Sequence, residues 1–352
     1  MPETGRPESQ SFDVARAQRR QSYGAAHADP SDAYAGVPIL NRPLWHGEIA
    51  AYFYLGGISS GAFVLGALAD LAGERWHDLA QTAYAVSFVT MVPCAPLLIH
   101  DLGKPSRFHH MMRIFKPSSP MNLGVWVLLA HSGFVSLQAA RVLGEWDVLP
   151  VAGAVARHLP VKVLGVVGLP VALALGGYSG VLLGTTSVPL WSRSPLLGGL
   201  FMSSAMASGS AAVALASLLS NRDTDAEHTA LAVTGLAADV AKLGLMTGYV
   251  ATSGDVAGPL LGGRDSALLR GAAAAVVAAI ALEVAGTRNR RMRGLCSAMA
   301  AGATLAGSAM LRWAVVHAGS TSAGDRDANL SSMRQTARNP GWGPPANGGS
   351  VS

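Results

Sequence analysis

Cysteine is nearly missing from this chain: Cys94 and Cys296 are the two thiols in 352 residues, and each sits inside an apolar run. Two thiolates cannot ligate a four-iron cluster, and nothing suggests a disulfide framework, so no iron–sulfur centre is expected in this chain. Charge is scarce as well. Asp, Glu, Lys and Arg make up 13% of the residues, about half their usual share in soluble domains. Histidines suited to haem are missing too. A membrane b-type haem needs two axial imidazoles held within the bilayer, yet only His131 lies well inside an apolar run, with His100 at a boundary, so no haem is expected. The first 40 residues lack the apolar core of a secretory signal. Residues 1–44 are therefore read as a retained polar tail, with the first membrane helix as the insertion signal.

What the chain has is hydrophobic length. Half of its residues are apolar, and they bunch into runs of about 20, the length that crosses a hydrocarbon layer of roughly 30 Å as a helix. The fold class expected is all-α, a polytopic membrane protein. Runs of low charge bounded by Pro, Gly and charged residues predict helices near 49–72, 80–100, 122–143, 159–185, 195–219, 229–251, 267–287 and 295–316. The segment 318–352 is small, polar and Pro/Gly-rich, and it reads as a disordered tail. An even helix count puts both termini on one side. The net charge of +5 resides in loops and tails, where Lys and Arg orient helices rather than meet nucleic acid. Those residues divide evenly between the two sides, so the orientation stays open.

Small residues recur at four-residue spacing: Gly57 and Gly61 in the first run, Gly176, Gly180 and Gly184 in the fourth, and Ala298, Gly302 and Ala306 in the eighth. Helices in lipid associate through such faces, and bundle packing accounts for most of them. The strongest local signal is the connection between the second and third runs. It holds DLGKPSRF, residues 101–108, and KPSSPMNLGVW, residues 116–126. About 20 residues is long for a helix connection, and loops of that length are usually functional or disordered. This one has turn residues at Gly103 and Pro105 and positive charge at Lys104, Arg107, Arg113 and Lys116.

Together with WHGEIAAYFYLGGISSGAF opening the first run, SPMNLGVW opening the third and GGYSGVLL in the fourth, the loop resembles the NrfD family, which includes the membrane subunit of polysulfide reductase. The likeness runs by motif from residue 45 to about 190, and by helix count and character beyond. It implies two four-helix bundles, 49–185 and 195–316, in a subunit that exchanges electrons with menaquinol or ubiquinol and carries no haem. It further implies a docked ferredoxin-like iron–sulfur subunit serving a molybdopterin or other catalytic subunit, in the cell membrane of a bacterium.

A quinone head needs a hydrogen-bond partner at each carbonyl, a proton source and an apolar channel. Carried over from the family, those positions fall at Glu48, Tyr52 and Tyr178, with Asp101 and Arg107 from the loop. Tyr52 stands where some relatives carry histidine, and Glu48, one turn earlier on the same face, is a substitute proton donor. Tyr178 also reads as an interfacial or packing tyrosine, and Asp101 as a helix cap answering Arg107. Lys104, Arg113 and Lys116 are the candidate docking residues for the iron–sulfur partner.

A separate signal lies in the sixth run, where Asp239 and Lys242 stand near the middle of an apolar stretch. One charge at the bilayer centre costs about 2.5–3.5 kcal/mol on insertion scales, so such residues face a partner or a polar cavity. Spaced by three, they can pair, and both a structural ion pair and a proton path remain open. Glu283 and Arg312 are candidates for the same network, and both read as near enough to helix ends to snorkel. Two other classes stay in view: a secondary transporter, which polytopic shape and central charges permit, and a purely structural membrane anchor. The motifs weigh against a transporter, because they gather at a membrane boundary rather than at the midplane.

Overall fold

The computed structural model describes residues 47–331 except Gly103, 149–159, 221–223, 289–290 and 326–327, together with Leu40, Pro43 and Trp45. Almost all of the expected N-terminal tail, and residues 332–352 of the expected C-terminal tail, lie outside the described residues. Eight long helices follow one another among the described residues. They are α1 (Gly47–Ala72), α2 (His77–Met91, continued by a short helix Cys94–His100), α3 (Pro120–Glu145), α4 (Val161–Gly184), α5 (Leu197–Ser220), α6 (Asp225–Ser253), α7 (Gly263–Arg288) and α8 (Arg293–Gly324). No strand occurs among the described residues. Among the described residues eight spans are long and apolar enough to cross a membrane, and the protein is an all-α, multi-pass membrane protein.

The helix ends follow local chemistry. Ser119 accepts the Asn122 amide at 3.4 Å and Pro120 opens α3 at the position where a missing N–H is harmless. Thr224 and Glu227 form a reciprocal capping box at the head of α6. The second run, expected as one helix, is broken at Val92 and Pro93. Proline removes a backbone donor and its ring crowds the preceding turn, so the helix stops and restarts at Cys94.

Packing closes two rings of helices. α1 touches α2 and α4, and α3 touches the same two; α5 touches α6 and α8, and α7 touches the same two. The rings meet where α1 lies along α5, with α2 and α4 also on α5 and α8 also on α1. At this seam a Cβ on Gly61 would collide with the Ala205 carbonyl, and one on Gly209 would lie 2.7 Å from the Gly61 Cα. Only the absence of side chains permits that approach. The four-residue stripe in the eighth run behaves otherwise: Gly302 and Ala306 are exposed, and Gly302 has no neighbour within 4 Å. We expect Gly209→Val to remove most monodisperse protein in size-exclusion chromatography, and Gly302→Val to leave the profile unchanged. Equal behaviour of the two variants would dissociate the seam from stability.

The eighth helix does not end near 316 but continues to Gly324. Its extension reads as polar, yet its small side chains let the 189–192 turn dock closely. Trp191 is buried, donates to the Val315 carbonyl at 2.8 Å and fills the space that a side chain on Gly319 would need. Trp45 stacks on that indole, 5.0 Å between centroids.

Candidate functional site

Successive helices run in opposite directions, so the start of α1, the end of Cys94–His100, the start of α3 and the end of α4 converge on one boundary. Glu48 and Tyr52 stand there on α1. Glu48 Oε1 lies 3.4 Å from His100 Nδ1, a half-exposed contact that ties the residue before Asp101 to the first turn of α1. Such a contact adds little stability; its effect is positional. Tyr52 is buried, one turn below Glu48, beside the Cys94 thiol and within electrostatic range of Tyr178.

Tyr178 is committed to the same corner. Its hydroxyl donates to the Pro120 carbonyl at 2.5 Å, and its ring takes the space that any side chain on Gly124 would need. Its hydroxyl proton is therefore engaged, and what it offers a ligand is an oxygen lone pair. Asp101 is half-buried at the end of its helix, with its amide on the Leu97 carbonyl at 3.2 Å.

The connection that follows is ordered around one side chain that sequence reasoning did not single out. Asn122 donates to the carbonyls of Met111 (3.1 Å) and Ile114 (3.0 Å) and accepts from the Lys116 amide (2.7 Å). The loop, with a 3₁₀ helix at Pro105–Met112, is thereby stapled to the head of α3, two residues from the carbonyl that Tyr178 holds. Lys104, Arg107, Arg113 and Lys116 are all exposed, as are Phe108, Ile114, Phe115 and Met121. The face is both basic and apolar.

The charges of α6 form a second, interior cluster. Asp239 and Lys242 are buried, with Lys242 Nζ 2.6 Å from Asp239 Oδ1. Thr304 donates to the other carboxylate oxygen at 2.6 Å, and Lys242 donates to Ser308 Oγ at 3.2 Å. Arg312 does not snorkel. It is fully buried, donating to the carbonyl of Phe53 (3.0 Å) and the hydroxyl of Ser204 (2.7 Å), with its guanidinium 5.2 Å from the centre of the Phe201 ring. The reason is the length of α8: with its end at Gly324, Arg312 lies three turns inside the helix. Glu283 accepts from Ser297 at 3.1 Å and shares with Asp239, Thr304 and Ser210 a cavity of about 20 Å³, room enough for a water molecule. The serines and threonines that complete this cluster were visible as hydroxyls at the centres of apolar runs, where lipid offers them no partner.

A model of the family described as polysulphide reductase, NrfD, matches residues 38–323. The chain belongs to that family. Among proteins it is similar to is a component chain of the polysulfide reductase of Wolinella succinogenes, 27% identical over 188 residues, which cover 50% of this chain and 59% of the relative. Protein NrfD of Escherichia coli K12 is 28% identical over 195 residues, 51% of this chain and 61% of the relative. A selenate reductase subunit of Mesobacillus selenatarsenatis is 23% identical over 196 residues, 47% of this chain and 46% of the relative. Each matched stretch thus spans less than two thirds of the relative's length. Family membership gives the boundary cluster its setting, a multi-pass membrane protein of the NrfD family.

Proposed function

We propose that this chain is the quinone-reactive membrane subunit of such a complex in a bacterial cell membrane. It binds menaquinol or ubiquinol at the boundary cluster and exchanges electrons with an extrinsic ferredoxin-like iron–sulfur subunit. That partner in turn serves a molybdopterin or other catalytic subunit. The observation that carries this reading is the shared anchor at the head of α3: Pro120 holds Tyr178, and Asn122 holds the exposed basic loop. Pocket and docking face are thereby fixed to each other within a few residues, as short-range electron transfer requires. The relatives whose names make them parts of polysulfide and selenate reductases support a catalytic partner on another polypeptide.

The donor set suits a quinone head. Oxidation of a bound quinol releases two electrons and two protons. Tyr52 and the Tyr178 oxygen flank the ring, and Glu48 and Asp101 accept the protons, with His100 beside Glu48 as the outlet to water. Arg107 biases the loop toward anionic groups. Asp239, Lys242 and Glu283 form the interior of a proton route in the α5–α8 ring, and Arg312, permanently charged and bonded to the Phe53 carbonyl, sets its electrostatics without relaying a proton.

Docking on Lys104, Arg113 and Lys116 is tested by charge reversal. Arg113→Glu with Lys116→Glu should reduce co-purification of the iron–sulfur subunit several-fold, more at low salt than at high. Retention of the partner by the single and double variants alike would place docking on another face.

A further inference from the structure

The cavity of the α5–α8 ring takes its polar lining from all four helices. These groups are the hydroxyl of Ser210 on α5, the carboxylates of Asp239 on α6 and Glu283 on α7, and the hydroxyl of Thr304 on α8. All four present oxygen. The remaining lining is Ala, Gly, Leu and Ile, so no nitrogen or sulfur side chain borders the space. Ser210 is brought against α6 at Gly235, one turn before Asp239, where an added Cβ would stand 3.6 Å from the Ser210 Cβ.

Two deficits meet in this space. The first is a hydrogen bond. A helical serine commonly donates back to a carbonyl three or four residues earlier, as Ser203 does to Leu200 (2.9 Å) and Ser208 to Ser204 (2.8 Å) on the same helix. Ser210 does not: it is 1% exposed, and its hydroxyl has no hydrogen-bond partner among the described residues. A buried hydroxyl left unmatched is costly. The second deficit is charge. Two carboxylates border the cavity, and Lys242 on Asp239 is the one cation in direct contact with them among the described residues. Arg312 is turned away, onto the Phe53 carbonyl and Ser204. With both carboxylates ionised, the cluster has one negative charge too many. Its oxygens keep acceptor capacity, because Thr304 gives its proton to Asp239 and Ser297 gives its own to Glu283.

We infer that the cavity is a binding site for a small monovalent cation, sodium, held by Ser210, Asp239, Glu283 and Thr304. An all-oxygen lining selects a hard cation over a transition metal. Calcium takes more oxygen ligands than the cavity offers, and magnesium keeps several waters, for which a space of about 20 Å³ has no room. One surplus negative charge matches a single positive one. Glu283 is partly exposed and lies about 7.5 Å from the end of α7 at Arg288, at 1.5 Å per residue, so the ion enters past it from the boundary opposite the quinone cluster. Sodium and a proton are then alternative partners of the Glu283 carboxylate, and exchanging them breaks no covalent bond other than O–H and moves no electron. The site shares side chains with the interior proton route but does not rest on the quinone reading.

The test is equilibrium binding of radioactive sodium to the purified full chain in detergent micelles, with choline chloride holding the ionic strength constant. Melting temperature is measured beside it in sodium, potassium and choline chloride. The wild type should bind sodium saturably, release it to unlabelled sodium but not to choline, and melt several degrees higher in sodium chloride than in the other two salts. Glu283→Gln should abolish saturable binding. Ser210→Ala, which deletes one oxygen and keeps every charge, should weaken it several-fold. A folded wild type that binds no sodium or melts alike in all three salts overturns the proposal and leaves the cavity to water, as does undiminished binding by Glu283→Gln. Quinol turnover enters none of these readouts, so the sodium site can fail while the quinone reading stands.

Discussion

Lys242→Met alone is expected to abolish stable assembly, while the double variant Asp239→Ala/Lys242→Met assembles. Both groups are buried, and among the described residues the ammonium is the one cation in direct contact with the Asp239 carboxylate. Removing one partner of a buried pair leaves an uncompensated charge, a loss of about 3–5 kcal/mol, whereas replacing both with apolar groups is often neutral or stabilising. Set against a total stability of roughly 5–15 kcal/mol, the single change is severe. Monodisperse yield and melting temperature should fall sharply for Lys242→Met and recover in the double variant. A double variant as unstable as the single one would mean that the pair contributes net stability. The same protein also decides the functional question. If it turns quinol over normally and sustains the same proton-motive force, Asp239 and Lys242 are structural and the interior route lies elsewhere.

The second large effect concerns quinol turnover. Asp101→Asn and Tyr52→Phe should each lower it by about 10²-fold or more, the usual scale for loss of a positioned proton-transfer group, with the complex still intact. Glu48→Gln should act in the same direction. Tyr178→Phe should have a smaller effect, because its hydroxyl proton is already held by the Pro120 carbonyl and the ring stays seated over Gly124. Near wild-type turnover in both Asp101→Asn and Tyr52→Phe would remove the pocket from this boundary.

The eight spans are legible in the sequence because lipid imposes one rule on every crossing: about 20 apolar residues with all backbone groups bonded internally. The interruptions are less so. Pro93 stands inside a run whose hydropathy never falters, and apolarity says nothing about a missing amide donor. The residues 318–324 are polar by composition, but their small size matters more than their polarity, since it admits Trp191 against Gly319. A helix ending near 316 would put Arg312 within snorkelling reach of water; the longer helix holds it inside. Spacing alone also does not separate the inward stripe at Gly57 and Gly61 from the outward one at Gly302, because which face a helix buries depends on neighbours distant in the chain. At the boundary site, Glu48, Tyr52, Tyr178 and Asp101 come from motif resemblance, and the structure brings their helices to one end. Asn122 lies within the SPMNLGVW motif, but its three contacts are with loop residues whose path no periodicity describes.

Arg312 sets an order on how the molecule is made. Its guanidinium sits on α8, which is made after α1 and α5, yet its partners are Phe53 on α1 and Phe201 and Ser204 on α5. Tyr54 of α1 reaches the same late helix, donating to the Leu305 carbonyl at 3.1 Å. Earlier helices emerge and settle first, so until α8 has been made the seam between the rings stays open around a gap the size of a guanidinium. A nascent polypeptide that stops before α8 leaves Ser204 and the Phe53 carbonyl without the donor that Arg312 supplies, so α8 closes a seam that the earlier helices cannot complete.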